Sequence, residues 1–228
     1  MNIHTIYGWF QPYFRRRRAQ LFHTLMPVTP GQTILDVGGY HTFWTYMDCD
    51  NPVECLNVHE PRFKQPLPER FKYVVGDGRA LPYPNGHFEL AFSNSVIEHV
   101  GGWEDQQRFA AEIRRVGRSY WVQTPNRWFP VEPHLIGAFV HFLPFRLQRR
   151  LVRWLTVWGW VNKPSQQQID DFISDIRLLT EREMRTLFPD AEIHYERVLF
   201  FFKKSFIAVR AVPQAGGVAQ AAGEQVPA

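Results

Sequence analysis

Apolar residues along this chain fall into two rhythms. One is a set of short runs ended by glycine or polar residues. Residues 33–37 (Thr-Ile-Leu-Asp-Val) close on Gly38-Gly39, and 53–58 contains Val53, Cys55, Leu56 and Val58 around Asn57. Residues 71–75 stop at Gly76-Asp77-Gly78, 88–93 run into Asn94-Ser95-Val96-Ile97-Glu98-His99, and 119–123 lead to Thr124-Pro125-Asn126. Runs of this length predict strands, and the first, apolar but for Asp36, reads as a strand buried in the middle of a parallel sheet. The second rhythm is helical. Phe109, Ile113 and Val116 predict a helix over 104–116 with Gly117 as its stop. Trp9, Phe10, Tyr13, Phe14, Leu21, Phe22 and Leu25 predict another before Pro27 and Pro30, expected to cover a pocket or a sheet edge. Thr180-Glu181-Arg182-Glu183 has the spacing of a capping box opening a helix through Leu187. Residues 193–200 and 205–212 predict a hairpin turning around Phe202-Lys203-Lys204.

Between 127 and 164 the chain turns to tryptophan, phenylalanine and arginine. Leu147, Leu151, Trp154, Leu155 and Trp158 form an apolar stripe opposite Gln148, Arg149, Arg150 and Arg153, which reads as a lid insertion. The tail 213–228, rich in Ala, Gly and Gln, is expected to be disordered. The resulting division is a helical cover over 1–30, a main domain over 31–212 containing the lid at 127–164, and the tail.

With 228 residues, 45% of them hydrophobic, the chain can bury a sizeable core. The net charge of +4 is concentrated in Arg15-Arg16-Arg17-Arg18 and in Arg146, Arg149, Arg150 and Arg153, so solvated helix faces account for it and nucleic acid is not an expected partner. Cys49 and Cys55 lack zinc-ligand spacing and read as thiols of a reducing compartment. The N-terminal residues have no signal-peptide pattern, and the longest nearly apolar segment, 134–145, is too short to span a bilayer. The expected location is cytoplasmic.

Every predicted strand of the parallel set ends in polar or glycine residues, and that rim is where open α/β sheets bind ligands. Gly38 and Gly39 allow positive φ and close approach of a ligand to the backbone. No Gly-x-Gly-x-x-Gly follows the first strand, which argues against a nicotinamide dehydrogenase.

Four motifs in order, Ile34-Leu35-Asp36-Val37-Gly38-Gly39, Gly76-Asp77 with Leu81-Pro82, 88–100 with Glu98-His99, and Gln123-Thr124-Pro125-Asn126-Arg127, resemble the class I S-adenosylmethionine-dependent methyltransferases of the type-11 group. The resemblance spans residues 18–212. It implies a Rossmann-like α/β sandwich whose seven-stranded, mostly parallel sheet has an antiparallel last strand, with S-adenosylmethionine across the carboxyl ends of the first strands. It further implies cofactor contacts from Asp36, Gly38 and Gly39, from Asn57 at the ribose, from Asp77 and Gly78 at the adenine, and from Ser93 and Asn94 at the methionine side. A carboxylate at Asp77 suits the adenine amino group, since it only accepts hydrogen bonds. Two positions depart from the group: Tyr40-His41-Thr42-Phe43-Trp44 is bulkier than the usual loop, and Asn57 stands where an acid usually takes the ribose hydroxyls.

Methyl transfer is an in-line displacement at a sulfonium-activated carbon, so alignment and water exclusion dominate. A general base is required only for a poorly ionised acceptor, and His99 and His134 are the candidates. Glu98-His99 also resembles part of the Glu-x-x-Glu-His run by which small-RNA 2′-O-methyltransferases hold a divalent metal. Ser95 replaces the first glutamate, and no metal is expected. The aromatic lid suits a small hydrophobic or planar acceptor, and its arginines suit peripheral contact with an anionic membrane. An RNA methyltransferase or RNA-binding protein, and a non-catalytic binding domain of the same fold, are the competing readings. Oligomeric state is not encoded in these patterns.

Overall fold

The computed structural model describes residues 3–47, 49–61, 63, 66–199 and 201–212, with side chains from Pro12 onward. The expected disordered tail and the side chains of Trp9 and Phe10 therefore lie outside the described residues.

The five short runs form β1 (Ile34–Val37), β2 (Val53–Asn57), β3 (Phe71–Val75), β4 (Phe88–Asn94) and β5 (Gly117–Pro125), and the C-terminal pair forms β8 (Glu192–Val198) and β9 (Phe202–Arg210). These seven make one sheet in the order β3-β2-β1-β4-β5-β9-β8. The first five strands pair in parallel, and β9 runs antiparallel to both its neighbours. The chain leaves β1 toward β2 and β3, then returns to β4 on β1's other side. That reversal opens a crevice at the carboxyl ends of β1 and β4.

Alternate residues of β1 face opposite cores, as the pleat requires. Leu35 and Val37 pack with Leu56, Ala91, Tyr120 and Val122 beneath Phe109 and Ile113 of α3 (Trp103–Val116) and Met184 of α7 (Glu181–Leu187). Ile34 packs on the other face with Val53, Phe92 and Trp121, against α1 (Ile3–Leu25) and the single-turn α2 (His41–Trp44). Phe22 of α1 meets Trp121, Phe92 and Trp44 edge-on, with ring centroids 5.4, 5.8 and 6.3 Å away. Arg18 fixes the same helix at the other side of the sheet, forking to Glu196 at 2.7 and 2.8 Å and reaching the Asn94 amide oxygen at 2.6 Å. Thus α1 lies on a face of the sheet.

The insertion contains a two-stranded ribbon, β6 (Val131–Glu132) with β7 (Gly137–Ala138), followed by α4 (Phe145–Leu155), α5 (Val157–Asn162) and α6 (Gln166–Asp175). Its small core is Leu135, Val140, Val152 and Ile169. The stripe read from sequence is only partly covered: Leu147, Trp154 and Leu155 are exposed and Leu151 is half-buried, whereas Trp158, already in α5, packs on the core; on α4 itself Val152 is buried and Arg149 pairs with Asp170 of α6. A stripe marks the core only when the helix has a partner on that side. Here α6 engages the polar flank, and Thr156 ends α4 in an extended conformation before capping α5 through Gly159 N–H at 2.9 Å. The C-terminal hairpin is present, but Phe202, Lys203 and Lys204 belong to β9. Val198 pairs with Phe202, which ends the first strand of the hairpin at Val198 and starts the second at Phe202. No helix among the described residues is long and apolar enough to cross a membrane.

Candidate active site

The crevice is built on the end of β1. Gly38 has φ +80°, its N–H donates to Leu56 O at 2.7 Å, and a Cβ there would meet the Val96 side chain at 2.5 Å. Gly39 lies directly over Asp36, where a Cβ would come 1.9 Å from a carboxylate oxygen. The loop is therefore pressed onto its own strand, an approach only glycine permits. Asp36 is buried and accepts the Trp44 indole N–H at 2.7 Å. Burial pushes its carboxyl up to about 7, opposed only in part by that hydrogen bond. Asn57 closes the turn from β2 by donating its amide N–H to Gly39 O at 2.7 Å. Both departures from the family pattern thus brace the glycine loop: Trp44 from below, Asn57 from the side.

A cavity of about 420 Å³ opens beside this loop, with Gly38, Asn57, Asp77, Ser95, Val96 and His99 in its wall. Asp77 also accepts from Arg79, at 3.0 Å from Nε and 2.7 Å from Nη2, and from the Arg79 backbone N–H at 2.9 Å. The Arg79 guanidinium holds the Asp77 carboxyl below its usual range, so it is an anionic acceptor at neutral pH. Gly78 packs between α3 and β1, where a Cβ would come 2.7 Å from Phe109 and 2.9 Å from Val37. Ser93 and Asn94 do not line this cavity. The buried Ser93 hydroxyl donates to Val37 O at 3.0 Å, and Asn94 faces Arg18. Ser95, at φ 56°, and Val96 occupy the wall instead.

At the far side of His99 the structure gathers a polar cluster. A 3-10 turn, Ile97–His99, buries Glu98 completely, with one carboxylate oxygen accepting from Thr124 Oγ1 at 2.9 Å and the other without a hydrogen-bond partner. His99 Nδ1 contacts Asp175 at 2.9 Å, and its Nε2 lies 3.3 Å from Nε2 of His134. His134 Nδ1 contacts Glu132 at 2.7 Å, and its Nε2 is 3.9 Å from the unpartnered Glu98 oxygen. Burial raises Glu98, with the two histidines pulling the other way. Burial by itself would lower His134, but Glu132 and Glu98 outweigh it and raise the imidazole. The two histidines singled out from sequence thus meet, although 35 residues separate them.

Glu132 also lines a second cavity of about 260 Å³, with Leu135, Phe145, Phe172 and Leu178 among its apolar walls and Arg127, His141, Gln148 and Arg177 among its polar ones. Sequence reasoning missed Arg79, Glu132 and Asp175. Arg79 is signalled by its place two residues after a turn acid and Glu132 by its place two before a histidine, but Asp175 reaches the site from α6 and leaves no local trace.

The strand order, the antiparallel β9 and the glycine-lined crevice at the switch point define the class I methyltransferase fold. Residues 31–119 match the family described as Methyltransferase domain, and this match together with the fold supports a class I S-adenosylmethionine-dependent methyltransferase of the type-11 group. An uncharacterized methyltransferase of Mycobacterium sp. (strain KMS) is 32% identical over 105 residues, covering 44% of this chain and 40% of that one. An uncharacterized Mycobacterium tuberculosis protein is 29% identical over 109 residues, 44% of this chain and 37% of that one. The matched part is under half the length of either relative. Among solved structures, Burkholderia thailandensis 1,6-didemethyltoxoflavin-N1-methyltransferase, with bound 1,6-didemethyltoxoflavin and S-adenosylhomocysteine, is 14% identical. Its TM-score is 0.50, covering 86% of this chain and 76% of that chain, a likeness of fold.

Proposed function

We propose that this chain transfers the methyl group of S-adenosylmethionine to a small hydrophobic or planar acceptor. The observation that carries the reading is the His99–His134–Glu132 chain, which joins the glycine-walled cavity to the second cavity, part apolar and part polar, beneath the insertion. The cofactor occupies the first cavity, with its methionine part against Gly38 and Gly39 and its adenine amino group donating to Asp77. Asn57, its amide nitrogen engaged by Gly39, offers its amide oxygen to a ribose hydroxyl. Asp36 and Gly78 support this site from beneath, and Ser93 and Asn94 hold β4 in place. The acceptor enters the second cavity beneath the insertion, and the histidine pair assists loss of its hydroxyl or amine proton. Exposed Leu147, Trp154 and Leu155 beside the exposed Arg150 support peripheral contact with an anionic membrane as a source of such acceptors.

The test is transfer of label from methyl-labelled S-adenosylmethionine to a panel of apolar hydroxy- and amino-aromatic compounds. Label should enter an organic-extractable product, His99→Ala or His134→Ala should lower kcat about 100-fold, and His134→Ala, outside the cofactor cavity wall, should leave S-adenosylhomocysteine affinity unchanged. Salt-sensitive labelling of RNA would overturn the small-molecule reading. Unchanged kcat in both variants would remove the histidines from the chemistry.

A further inference from the structure

From the facing arrangement of Glu98, His99 and His134 we infer a binding site for a divalent transition-metal ion, held by one carboxylate oxygen and two imidazole Nε2 atoms. The three ligand atoms all lie within 4.8 Å of one another. Each histidine turns its Nδ1 to a carboxylate, His99 to Asp175 at 2.9 Å and His134 to Glu132 at 2.7 Å. Donation from Nδ1 to those acids leaves the Nε2 lone pairs as the inward-facing groups, the tautomer that carboxylate–histidine–metal arrangements use. The two Nε2 atoms lie 3.3 Å apart, a gap that one proton shared between the imidazoles, or a metal ion in its place, would bridge. Their separation is also close to the roughly 3.3 Å edge expected between two nitrogens bonded at about 2.05 Å to a tetrahedral zinc.

The third ligand is independently marked. Glu98 is completely buried, and its second oxygen has no hydrogen-bond partner although it points toward His134 Nε2 at 3.9 Å. A buried carboxylate oxygen left unpaired is costly, and a cation between it and the imidazoles removes that cost. Thr124 fixes the other oxygen at 2.9 Å, so the free one is already aimed. The expectation of no metal came from Ser95, which does not enter the cluster and bonds Gln123 instead. His134 supplies the ligand that Ser95 does not.

Two histidines and one carboxylate suit zinc, iron(II), cobalt(II) or manganese(II) better than calcium, and three protein ligands leave positions for exogenous oxygen or nitrogen. His99 lines the first cavity and Glu132, bonded to His134, lines the second, so the site lies between the proposed cofactor and the proposed acceptor. A bound ion would take the acceptor's hydroxyl or amine as a ligand and ease its proton loss. That use rests on the methyl-transfer reading, while the existence of the site does not.

The test is titration of chelator-treated full-length protein with Co²⁺, followed by visible d–d absorption, and with Zn²⁺ in competition with a chromophoric chelator. One equivalent should bind, Glu98→Gln and His134→Ala should each weaken binding at least tenfold, and His194→Ala should leave it unchanged. S-adenosylhomocysteine titration of every variant serves as the check on the fold, and Glu98→Gln, which keeps the Thr124 hydrogen bond, remains informative should His134→Ala not fold. Absence of stoichiometric Co²⁺ and Zn²⁺ binding, or binding indifferent to both ligand substitutions, overturns the site. Metal binding without any cofactor binding would uphold the site and sink the methyl-transfer reading. The converse result would separate them the other way.

Discussion

Trp44 donates its indole N–H to Asp36 across 2.7 Å, with the two side chains 0% and 1% exposed. The pair sits under Gly39, so the acid beneath the glycine loop is held by an aromatic residue of the next turn. Its carboxyl, pushed up to about 7 by burial, keeps its proton in the native state over a range where the unfolded chain, at about 3.9, has lost it. The native state therefore binds more protons, and the stabilisation is complete below about pH 4 and is lost as pH rises through about 7. Asp36→Asn should flatten this contribution, on the order of 3–4 kcal/mol. Urea denaturation of both proteins across that window checks it, and parallel pH profiles would contradict it.

Arg18 and Glu196 respond to pH in the opposite sense. Burial by itself would raise Glu196, but the charge and hydrogen bonds of Arg18 hold it at about 2. That contribution is present above about 4.3, the ordinary value, and is lost as pH falls through about 2. Arg18→Met should cost about 3 kcal/mol near neutrality by leaving a buried carboxylate with only the Ser205 hydroxyl and the charge of Lys204, and the deficit should shrink in acid. Adding Glu196→Met should recover part of the loss in denaturant titrations. Additive costs would contradict coupling.

The sheet was legible because its strands are short apolar runs with breakers after them, a pattern set by burial on both faces. The glycine loop and Asp77 were legible because close approach and turn geometry restrict residue choice at single positions. The stripe on α4 misled because amphipathicity shows that two faces differ, and only the placement of α6 decides which is covered. Ser93 and Asn94 lie at the right strand end, yet the pleat and Arg18 turn them away from the cavity. Asp175 and Glu132 act through tertiary contacts with histidines, which no local pattern records.

The burial of Val152 and the exposure of Trp154 on α4 have a direct consequence for stability. Val152→Ala removes a buried group from the insertion's core and should cost about 2 kcal/mol. Trp154→Ser, at a side chain 66% exposed, should change stability by less than about 0.5 kcal/mol. Thermal or urea unfolding distinguishes the two, and a larger loss at Trp154 would place a partner on that face.

Within the crevice, Ser93→Ala should leave cofactor affinity unchanged while costing about 1 kcal/mol of stability for its hydrogen bond to Val37 O. Gly78→Val should weaken cofactor binding and also destabilise by about 1–3 kcal/mol, since its side chain would overlap Phe109 and Val37. Equal effects of the two on affinity would contradict the assignment of the cavity wall.

The most direct measurement is calorimetric titration of the purified protein with S-adenosylhomocysteine, for the wild type and for Asp77→Ala. Asp77 is partly exposed, and Arg79 retains Asp105 as a partner without it, so the variant should fold. Saturable one-to-one binding by the wild type, weakened about tenfold in the variant, is the expected result. A folded wild type that takes up no S-adenosylhomocysteine, or a variant that binds it equally well, would contradict the placement of the cofactor across Gly38, Gly39 and Asp77.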